Sequence, residues 1–399
     1  MSAGFATLAD TTQAWFRRFE HGYSGLIWFT APAGFALIAY LARRYFPNSQ
    51  GSGIPQCIAA GETANDALRQ RLLSFRVAAG KVMLTAAGFL FGASIGREGP
   101  SVQVGASLMW GLRSSLEKEH KALILAGSAA GIAAAFNAPL AGVVFAIEEL
   151  SRSFEARTSG LILTATILAG AAAMAVTGNY DYFGETTGTI SHWQDWLSLG
   201  VIAIAGGLLG GLFSRAVIAM AFNPVLRRVT GAARRPILFA AACGFVVALC
   251  GWLSGGLTYG AGYQEAFDII HHDSSVAWFY VPLKILATTA SAVSGIPGGL
   301  FSPSLSVGAG IGAVAAEWLP FSAGSETQFA LLGMAAYLTG VVQSPITSVV
   351  IMAEMTGNNR MVLPLLACAI VAQAVSRAVC PTSIYHALAE GFLLKERDG

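Results

Sequence analysis

The chain has 399 residues, of which 54% are hydrophobic and only 12% are charged, and its formal net charge is +2 at pH 7. Soluble domains carry about 25% charged residues, so this composition excludes an ordinary soluble protein and indicates a polytopic helical membrane protein. The small net charge gives no indication of nucleic-acid binding. The five cysteines are odd in number and lack CxxC spacing, and we interpret them as buried thiols without a disulfide role.

Apolar stretches follow one another along most of the chain. They are Gly25 to Ala42, Val77 to Ile95, Leu161 to Val176, Leu197 to Phe222, Pro236 to Leu257, Phe329 to Met355 and Met361 to Val379. Several are shorter than the roughly 20 residues that cross a bilayer, or are interrupted by Gly and Pro. Because broken helices at membrane depth must be buried in protein or line a watery cavity, these interruptions predict a transport site.

Three glycine-rich segments interrupt the apolar pattern and predict helix N-termini. They are GSGIP (Gly51 to Pro55), GREGP (Gly96 to Pro100) and GIPGGLFSP (Gly295 to Pro303). Glycine lets the backbone approach an ion closely, and proline suits the first helical turn. A helix N-terminus binds anions through unpaired N–H groups and a partial positive charge. We therefore predict an anion site supported by the residues Gly51, Gly53, Gly96, Arg97, Gly99 and Gly299.

The chain contains an internal repeat. GREGP has an uncharged counterpart in GLFSP (Gly299 to Pro303), and the same spacing pairs Lys81 with Lys284. A second pair of matching segments, 127–149 and 333–355, extends the repeat. We predict a single integral membrane domain made of two halves, residues 1–190 and 191–399.

Charge placement predicts that the two halves are inverted. The connection after the second apolar stretch is rich in arginine in the first half, whereas its counterpart between Arg235 and Lys284 contains no Lys or Arg. The preceding connections show the reverse bias, with Arg17 and Arg18 in the first half against four arginines in the second. Opposite positive-inside biases indicate inverted-topology repeats, a transporter architecture. The long apolar run Leu197 to Phe222 precedes the arginines of the second half, whereas only Met1 to Phe16 precedes Arg17. Either the first helix is short or the chain begins late, and we favour the late start.

Two glutamates break the repeat and are therefore functional candidates. Glu98 stands opposite Phe301, and Glu149 stands opposite Met355, whereas Glu148 recurs as Glu354. Ionisable groups at membrane depth are costly and usually functional. An ionised Glu98 would compete with an anion for N–H donors, and protonation would end that competition. Glu98 and Glu149 are therefore the two candidates for a functional carboxylate, while the repeated Glu148 and Glu354 are interpreted as helix-end or packing residues.

In this order, GSGIP, GREGP and GLFSP, with FNAPLAG and IEE after the second, resemble the CLC family of chloride channels and chloride/proton antiporters. The resemblance runs from about Tyr23 to the C-terminal end. It implies an all-α fold of two inverted repeats of broken, tilted helices, with chloride and protons as the transported partners and no cofactor. It also implies the anion-binding residues Ser52, Leu300, Phe301 and Tyr385, the external gate Glu98 and the internal proton relay Glu149.

Several residues have a second interpretation. Ser52 could cap the following helix, and Tyr385 could be an interfacial aromatic residue. Arg97 could draw anions into a vestibule or serve as a partner for a helix end. The repeated lysines, Lys81 and Lys284, could raise the local potential or snorkel to an interface.

Glu149 favours proton-coupled exchange over passive conduction, because a pure channel would not need a second titratable group. A proton-independent chloride channel is the alternative, and a fluoride-exporting relative fits GREGP and Ser52 less well. We expect no enzyme, since the sequence shows no zinc-protease HExxH motif. By resemblance we expect a homodimer surrounded by lipid, with one pore per subunit, in a plasma or bacterial inner membrane, multi-pass, with both termini cytoplasmic.

Overall fold

A computed structural model of the chain describes residues 2–113, 120–151, 156–178, 182–190, 192–271, 276–319 and 326–397. Regular structure in these ranges is helical, and extended pairing is limited to two isolated bridges, Gly51 with Pro297 and Gly96 with Gly299. The predicted all-α class is therefore confirmed.

The helices of the first half are α1 (Ser2–Tyr23), α2 (Ile27–Arg44), α3 (Ile54–Glu62), α4 (Asp66–Leu72), α5 (Phe75–Leu90), α6 (Glu98–Gly111), α7 (His120–Phe136), α8 (Pro139–Phe145) and α9 (Ala156–Thr177). Those of the second half are α10 (Trp193–Phe222), α11 (Pro224–Val229), α12 (Pro236–Leu253), α13 (Tyr263–His271), α14 (Tyr280–Val293), α15 (Phe301–Trp318), α16 (Glu326–Val342), α17 (Pro345–Thr356), α18 (Val362–Val379) and α19 (Ile384–Arg397).

Some helical segments are long and apolar enough to cross a membrane. Within the described ranges there are five, namely Gly4–Arg44, Asp66–Leu90, Trp193–Phe222, Pro236–Leu253 and Asn359–Val379. Others are far shorter than a bilayer: α3 has 9 residues and α8 has 7. The mixture of spanning and short helices agrees with the predicted membrane protein of broken helices.

Each half breaks an apolar stretch at the same point of the repeat. Asn137 separates α7 from α8 with a φ of 54°, and Gln343 separates α16 from α17 with a φ of 60°. In both places a proline, Pro139 or Pro345, opens the next helix. A left-handed residue ends hydrogen bonding along the first helix, and proline then favours a new start. The continuous apolar run predicted from Phe329 to Met355 is therefore two helices.

The best-packed helix pairs also repeat between the halves. A Cβ atom added to Gly105 of α6 would collide with the Gly127 carbonyl of α7, and one added to Gly308 of α15 would collide with the Gly333 carbonyl of α16. Small residues let helix backbones approach closely, which is how membrane helices pack without a hydrophobic driving force. These contacts fix α6 and α15, which supply two of the helix N-termini at the candidate site.

The placement of Arg17 and Arg18 in a connection is wrong. Both residues lie inside α1, and the connection is a single 3-10 turn, Ser24–Leu26. Arg17 is partly shielded because its Nη2 pairs with Glu265 Oε1 of α13 at 2.9 Å. A helix can continue through two arginines where one of them has a carboxylate partner. The inversion and the division into residues 1–190 and 191–399 stay predictions, now without support from these two charges.

Candidate functional site

The three glycine-rich turns meet at one place in the fold. Gly51 donates its N–H to the Ile296 carbonyl at 3.0 Å, and Gly298 donates to the Gly51 carbonyl at 3.1 Å. Gly96 and Gly299 exchange hydrogen bonds of 2.8 and 2.7 Å. Residues from both halves of the chain thus form one small backbone junction.

Three helices begin at this junction. The residues before their first turns are Gly53 for α3, Arg97 for α6 and Leu300 for α15. The first N–H groups of a helix have no intrahelical acceptor. The backbone hydrogen bonds of the described residues include none donated by Leu300 or Phe301, so both N–H groups are available to a ligand.

Glycines permit the close approach of these turns. Gly53 has a φ of 102°, a left-handed conformation that disfavours other residues. A Cβ atom on Gly99 would collide with the Ser52 hydroxyl and lie 2.8 Å from the Ser52 carbonyl. The absence of side chains at both positions brings Ser52 against the first turn of α6.

Two of the predicted anion ligands are buried hydroxyls without partners. Ser52 and Tyr385 are 7% and 0% exposed, and neither hydroxyl has a hydrogen-bond partner among the described residues. The Tyr385 ring stacks on Phe301, with centroids 6.2 Å apart, and its hydroxyl lies beside Ser52. An unpaired buried hydroxyl is costly, and each exception calls for an explanation. Two such groups next to free N–H donors form a set of donors suited to an anion.

The Glu98 side chain lies at the N-terminus of α15. It is 1% exposed, and its Oε1 accepts a hydrogen bond of 2.5 Å from the Ser302 hydroxyl. Its Oε2 lies 3.4 Å from the Ser302 backbone nitrogen. A carboxylate from one half of the chain therefore binds the positive end of a helix from the other half.

Ser302 was missed by sequence reasoning. Leu300 and Phe301 were predicted as backbone donors to an anion, yet the donors to Glu98 come from the residue that follows them. The available signal was the serine of GLFSP itself, because it places a hydroxyl in the first turn of a helix whose N-terminus was predicted to bind an anion. The repeat alignment used that segment only as an uncharged counterpart of GREGP.

Arg97 is tied to α1 and also borders a cavity. Its Nη1 binds Asp10 Oδ1 at 2.6 Å and the Ala6 carbonyl at 3.1 Å, which ties it to α1. Its guanidinium lies 6.0 Å from the centre of the Tyr182 ring. Arg97 and Glu98 also line a cavity of about 430 Å³, called the arginine cavity below. A positive side chain thus borders the entrance to the carboxylate.

Glu149 lies in a π-helical turn, Ala146–Ser151, and its side chain is buried. One carboxylate oxygen accepts from the Ser344 hydroxyl, and the other accepts from the Ser383 hydroxyl at 3.0 Å. The His386 ring nitrogen Nε2 lies 2.8 Å from the Glu149 carbonyl. These three polar neighbours come from distant parts of the chain and were not predicted.

Two further cavities lie on either side of α19. A cavity of about 440 Å³ is lined by Gly51 and Ser52 and by Leu388 of α19, and we call it the serine cavity. A cavity of about 660 Å³ is lined by Glu149 and by His386 of α19, and we call it the glutamate cavity. Solvent can thus approach Ser52 and Glu149 by separate routes.

Neither repeated lysine snorkels, because both side chains are fully buried. Lys81 Nζ donates to the Gly51 carbonyl at 2.9 Å. Lys284 Nζ donates to the carbonyls of Thr258 and Gly260, each at 3.0 Å. Each lysine therefore holds the backbone of a glycine-containing loop, and only Lys81 does so at the candidate site.

One short segment matches a motif of serine hydrolases. The segment Gly92 to Gly96, GASIG, matches the GxSxG pattern of serine hydrolases. However, Ser94 is fully buried and its hydroxyl lies 2.9 Å from Thr288 Oγ1, so it is not presented to a substrate. In the described part of the chain no group of three His, Cys, Asp or Glu side chains could hold a metal.

Comparison with known proteins gives consistent matches. The protein-family model for the voltage gated chloride channel matches residues 34–377. The H(+)/Cl(-) exchange transporter ClcA of Cronobacter sakazakii is 30% identical over 390 residues, which cover 93% of this chain and 81% of that protein.

Solved structures match over nearly the whole chain. A slow cyanobacterial Cl-/H+ antiporter gives a TM-score of 0.83 at 24% identity and covers 99% of this chain and 95% of its own. A CLC-type fluoride/proton antiporter gives 0.80 at 23% identity, with coverage of 97% and 94%. A eukaryotic CLC transporter gives 0.77 at 21% identity, with coverage of 97% and 70%. The fold is thus the CLC fold, and the chain is a member of the voltage gated chloride channel family.

Proposed function

We propose that this protein exchanges chloride for protons across a membrane, with Glu98 as the gate and proton carrier. The observation that carries the proposal is the position of the Glu98 carboxylate, which accepts both of its hydrogen bonds from Ser302 at the N-terminus of α15. A carboxylate and an anion compete for the same donors. Only a protonated Glu98 gives up this position without leaving a charge unpaired.

The anion path runs from the serine cavity to the arginine cavity. Chloride passes Ser52 and meets the unpartnered hydroxyls of Ser52 and Tyr385. The N–H groups of Leu300 and Phe301 are the next donors. Because these donors carry only partial charges, they bind a dehydrated anion without holding it too tightly for release. Beyond them, Glu98 blocks or opens the way to the arginine cavity.

The proton path shares Glu98 with the anion path and then leaves it. Glu149 is the second titratable group, and it borders the glutamate cavity rather than the serine cavity. The hydroxyls of Ser344 and Ser383 on its carboxylate can donate or accept, so they can pass a proton without a net change of charge. Separate entry routes keep protons and chloride from meeting before Glu98.

The name of the relative supports the same reaction, since ClcA of Cronobacter sakazakii is described as an H(+)/Cl(-) exchange transporter. The protein would need no cofactor, with chloride bound as substrate. It would form a homodimer in the inner membrane, with both termini cytoplasmic. Exposed apolar side chains such as Leu212, Phe245 and Ile370 suit contact with lipid or with a second copy.

Reconstituted protein tests the exchange directly. In liposomes that contain a chloride gradient but no proton gradient, exchange drives protons against the chloride flux, and the internal pH changes. The reversal potential should then depend on both the chloride and the pH difference. A reversal potential set by chloride alone would establish the alternative, a proton-independent channel. No chloride flux at all would reject both.

A further inference from the structure

Ser302 has a different role from the other serines at the candidate site. Its hydroxyl donates to Glu98 Oε1 at 2.5 Å, and its backbone nitrogen faces Oε2 at 3.4 Å. One residue thus supplies a donor to each oxygen of the proposed gate. The side chain is 4% exposed, so water does not replace this donor readily.

Neighbouring serines show what this hydroxyl would otherwise do. Ser304, in the same turn of α15, donates to the Leu300 carbonyl at 2.6 Å, and Ser101 of α6 donates to the Arg97 carbonyl at 3.0 Å. Such bonds to the preceding turn are the usual choice for a helical serine. Ser302 instead reaches across the boundary between the two halves to a carboxylate.

The charged and titratable groups around Glu98 do not duplicate this contact. Arg97 lines the arginine cavity and is hydrogen bonded to Asp10, and Arg17 lines the same cavity and is paired with Glu265. The phenols of Tyr182 and Tyr385 are within electrostatic range of Glu98, while Tyr263 lies near Tyr182 and Glu149 lies near Tyr385. Among the described residues, Ser302 alone donates hydrogen bonds to the Glu98 side chain.

We propose that Ser302 is a positioning residue that latches ionised Glu98 at the N-terminus of α15 and so sets the pH at which the gate opens. This inference rests on the proposed exchange function. A hydroxyl bond to an ionised carboxylate is roughly twice as strong as one between neutral groups. Protonation of Glu98 therefore weakens the latch at the moment when the gate must leave.

The hydroxyl also suits the state that follows. When Glu98 has moved away, Ser302 Oγ and its N–H face the position that the carboxylate held. A hydroxyl can rotate and donate to whichever acceptor replaces the carboxylate.

The test measures chloride flux in liposomes against pH for the wild type, Ser302→Ala, Ser302→Thr and Ser304→Ala. Loss of the hydroxyl destabilises ionised Glu98 at the N-terminus of α15, so chloride flux through Ser302→Ala should begin at a higher pH than in the wild type. The expected shift of the midpoint is about one to two pH units, the equivalent of one hydrogen bond to a charged group. Ser302→Thr keeps a hydroxyl and should restore the midpoint. Ser304→Ala removes a hydroxyl of the same turn and should leave it unchanged.

A second pair of variants separates the latch from a general effect on the helix. In a Glu98→Gln background no carboxylate remains, so chloride flux should be independent of pH both with and without Ser302→Ala. An unchanged midpoint in Ser302→Ala, or an equal shift in the Glu98→Gln background, would overturn the inference. Infrared titration of the Glu98 carboxyl reads the same shift without transport. If the wild type transports no chloride but the Glu98 carboxyl band still shifts in Ser302→Ala, the proposed function is rejected while the positioning role of Ser302 is supported.

Discussion

Glu148 of the first half caps a helix of the second half, and Glu354 of the second half caps a helix of the first half. The Glu148 carboxylate accepts from the backbone nitrogens of Ile346 and Thr347, at 3.1 and 2.6 Å, in the first turn of α17. Glu354 of α17 accepts from the nitrogens of Leu140 and Ala141, at 3.0 and 2.7 Å, in the first turn of α8. The two repeated glutamates are therefore helix-end residues, as predicted. Each accepts hydrogen bonds from first-turn N–H groups that have no acceptor within their own helix.

Glu148→Ala and Glu354→Ala should destabilise the protein by similar amounts, about 1 to 3 kcal/mol each, because each leaves two backbone donors without their acceptor. Thermal unfolding in detergent measures this loss. The ratio of chloride to protons transported should stay at the wild-type value, since neither carboxylate is on the proposed proton path. Loss of coupling in Glu148→Ala without loss of stability would contradict the capping role.

Glu98→Gln should abolish proton transport while chloride still flows. The amide keeps the size of the side chain but carries no removable proton, so the gate is permanently neutral. Chloride flux should also lose its dependence on pH. Parallel recordings of chloride efflux and internal pH measure both effects, and proton pumping that persists in this variant would exclude Glu98 as the carrier.

Glu149→Gln should reduce proton flux by about a hundredfold, the usual cost of losing one positioned proton-transfer group, while chloride continues to flow. Ser383→Ala should have a smaller effect, because Ser344 still donates to the carboxylate. Glu148→Gln is the matched control, since the adjacent carboxylate caps α17 and should leave proton flux unchanged. Equal coupling in Glu149→Gln and wild type would point to another internal relay.

Ser52→Ala and Tyr385→Phe should weaken chloride binding, because each removes one of the unpartnered hydroxyls at the junction. A hydrogen bond to a charged group contributes about 1.5 to 3 kcal/mol, so the dissociation constant should rise about tenfold to a hundredfold. Calorimetric titration with chloride measures it. Tyr259→Phe is the control, since that hydroxyl lies 3.2 Å from the Ala248 carbonyl, away from the junction. Unchanged affinity in both site variants would place the anion elsewhere.

Lys81→Met and Lys284→Met should both lower the melting temperature, because each frees backbone carbonyls in a buried loop. Only Lys81→Met should also weaken chloride binding, since Lys81 holds the Gly51 carbonyl at the junction. Melting curves and chloride titrations of the two variants separate these effects. A comparable loss of affinity in Lys284→Met would show that the lysines act through general positive charge instead.

Local patterns in the sequence were sufficient for the helix class, the repeat and the position of the breaks. Hydrophobic stretches, proline in first turns and glycine at left-handed positions act over a few residues, so their effects can be read without the fold. The same reasoning assigned Glu148 and Glu354 to helix ends because they recur. It was wrong for Arg17 because the partner that stabilises it, Glu265, lies on a distant helix.

By itself, the sequence determined that this is a helical membrane protein with three glycine-rich turns at helix N-termini. It also determined that Glu98 and Glu149 have no glutamate opposite them in the other half of the repeat. Only the tertiary structure decided which groups donate to which. The Ser302 hydroxyl donates to Glu98, the hydroxyls of Ser344 and Ser383 donate to Glu149, and Lys81 donates to the Gly51 carbonyl. The physical reason is the distance along the chain over which each effect acts. Hydropathy and backbone preference are properties of neighbouring residues, whereas a hydrogen bond between the two halves depends on how all the intervening helices pack.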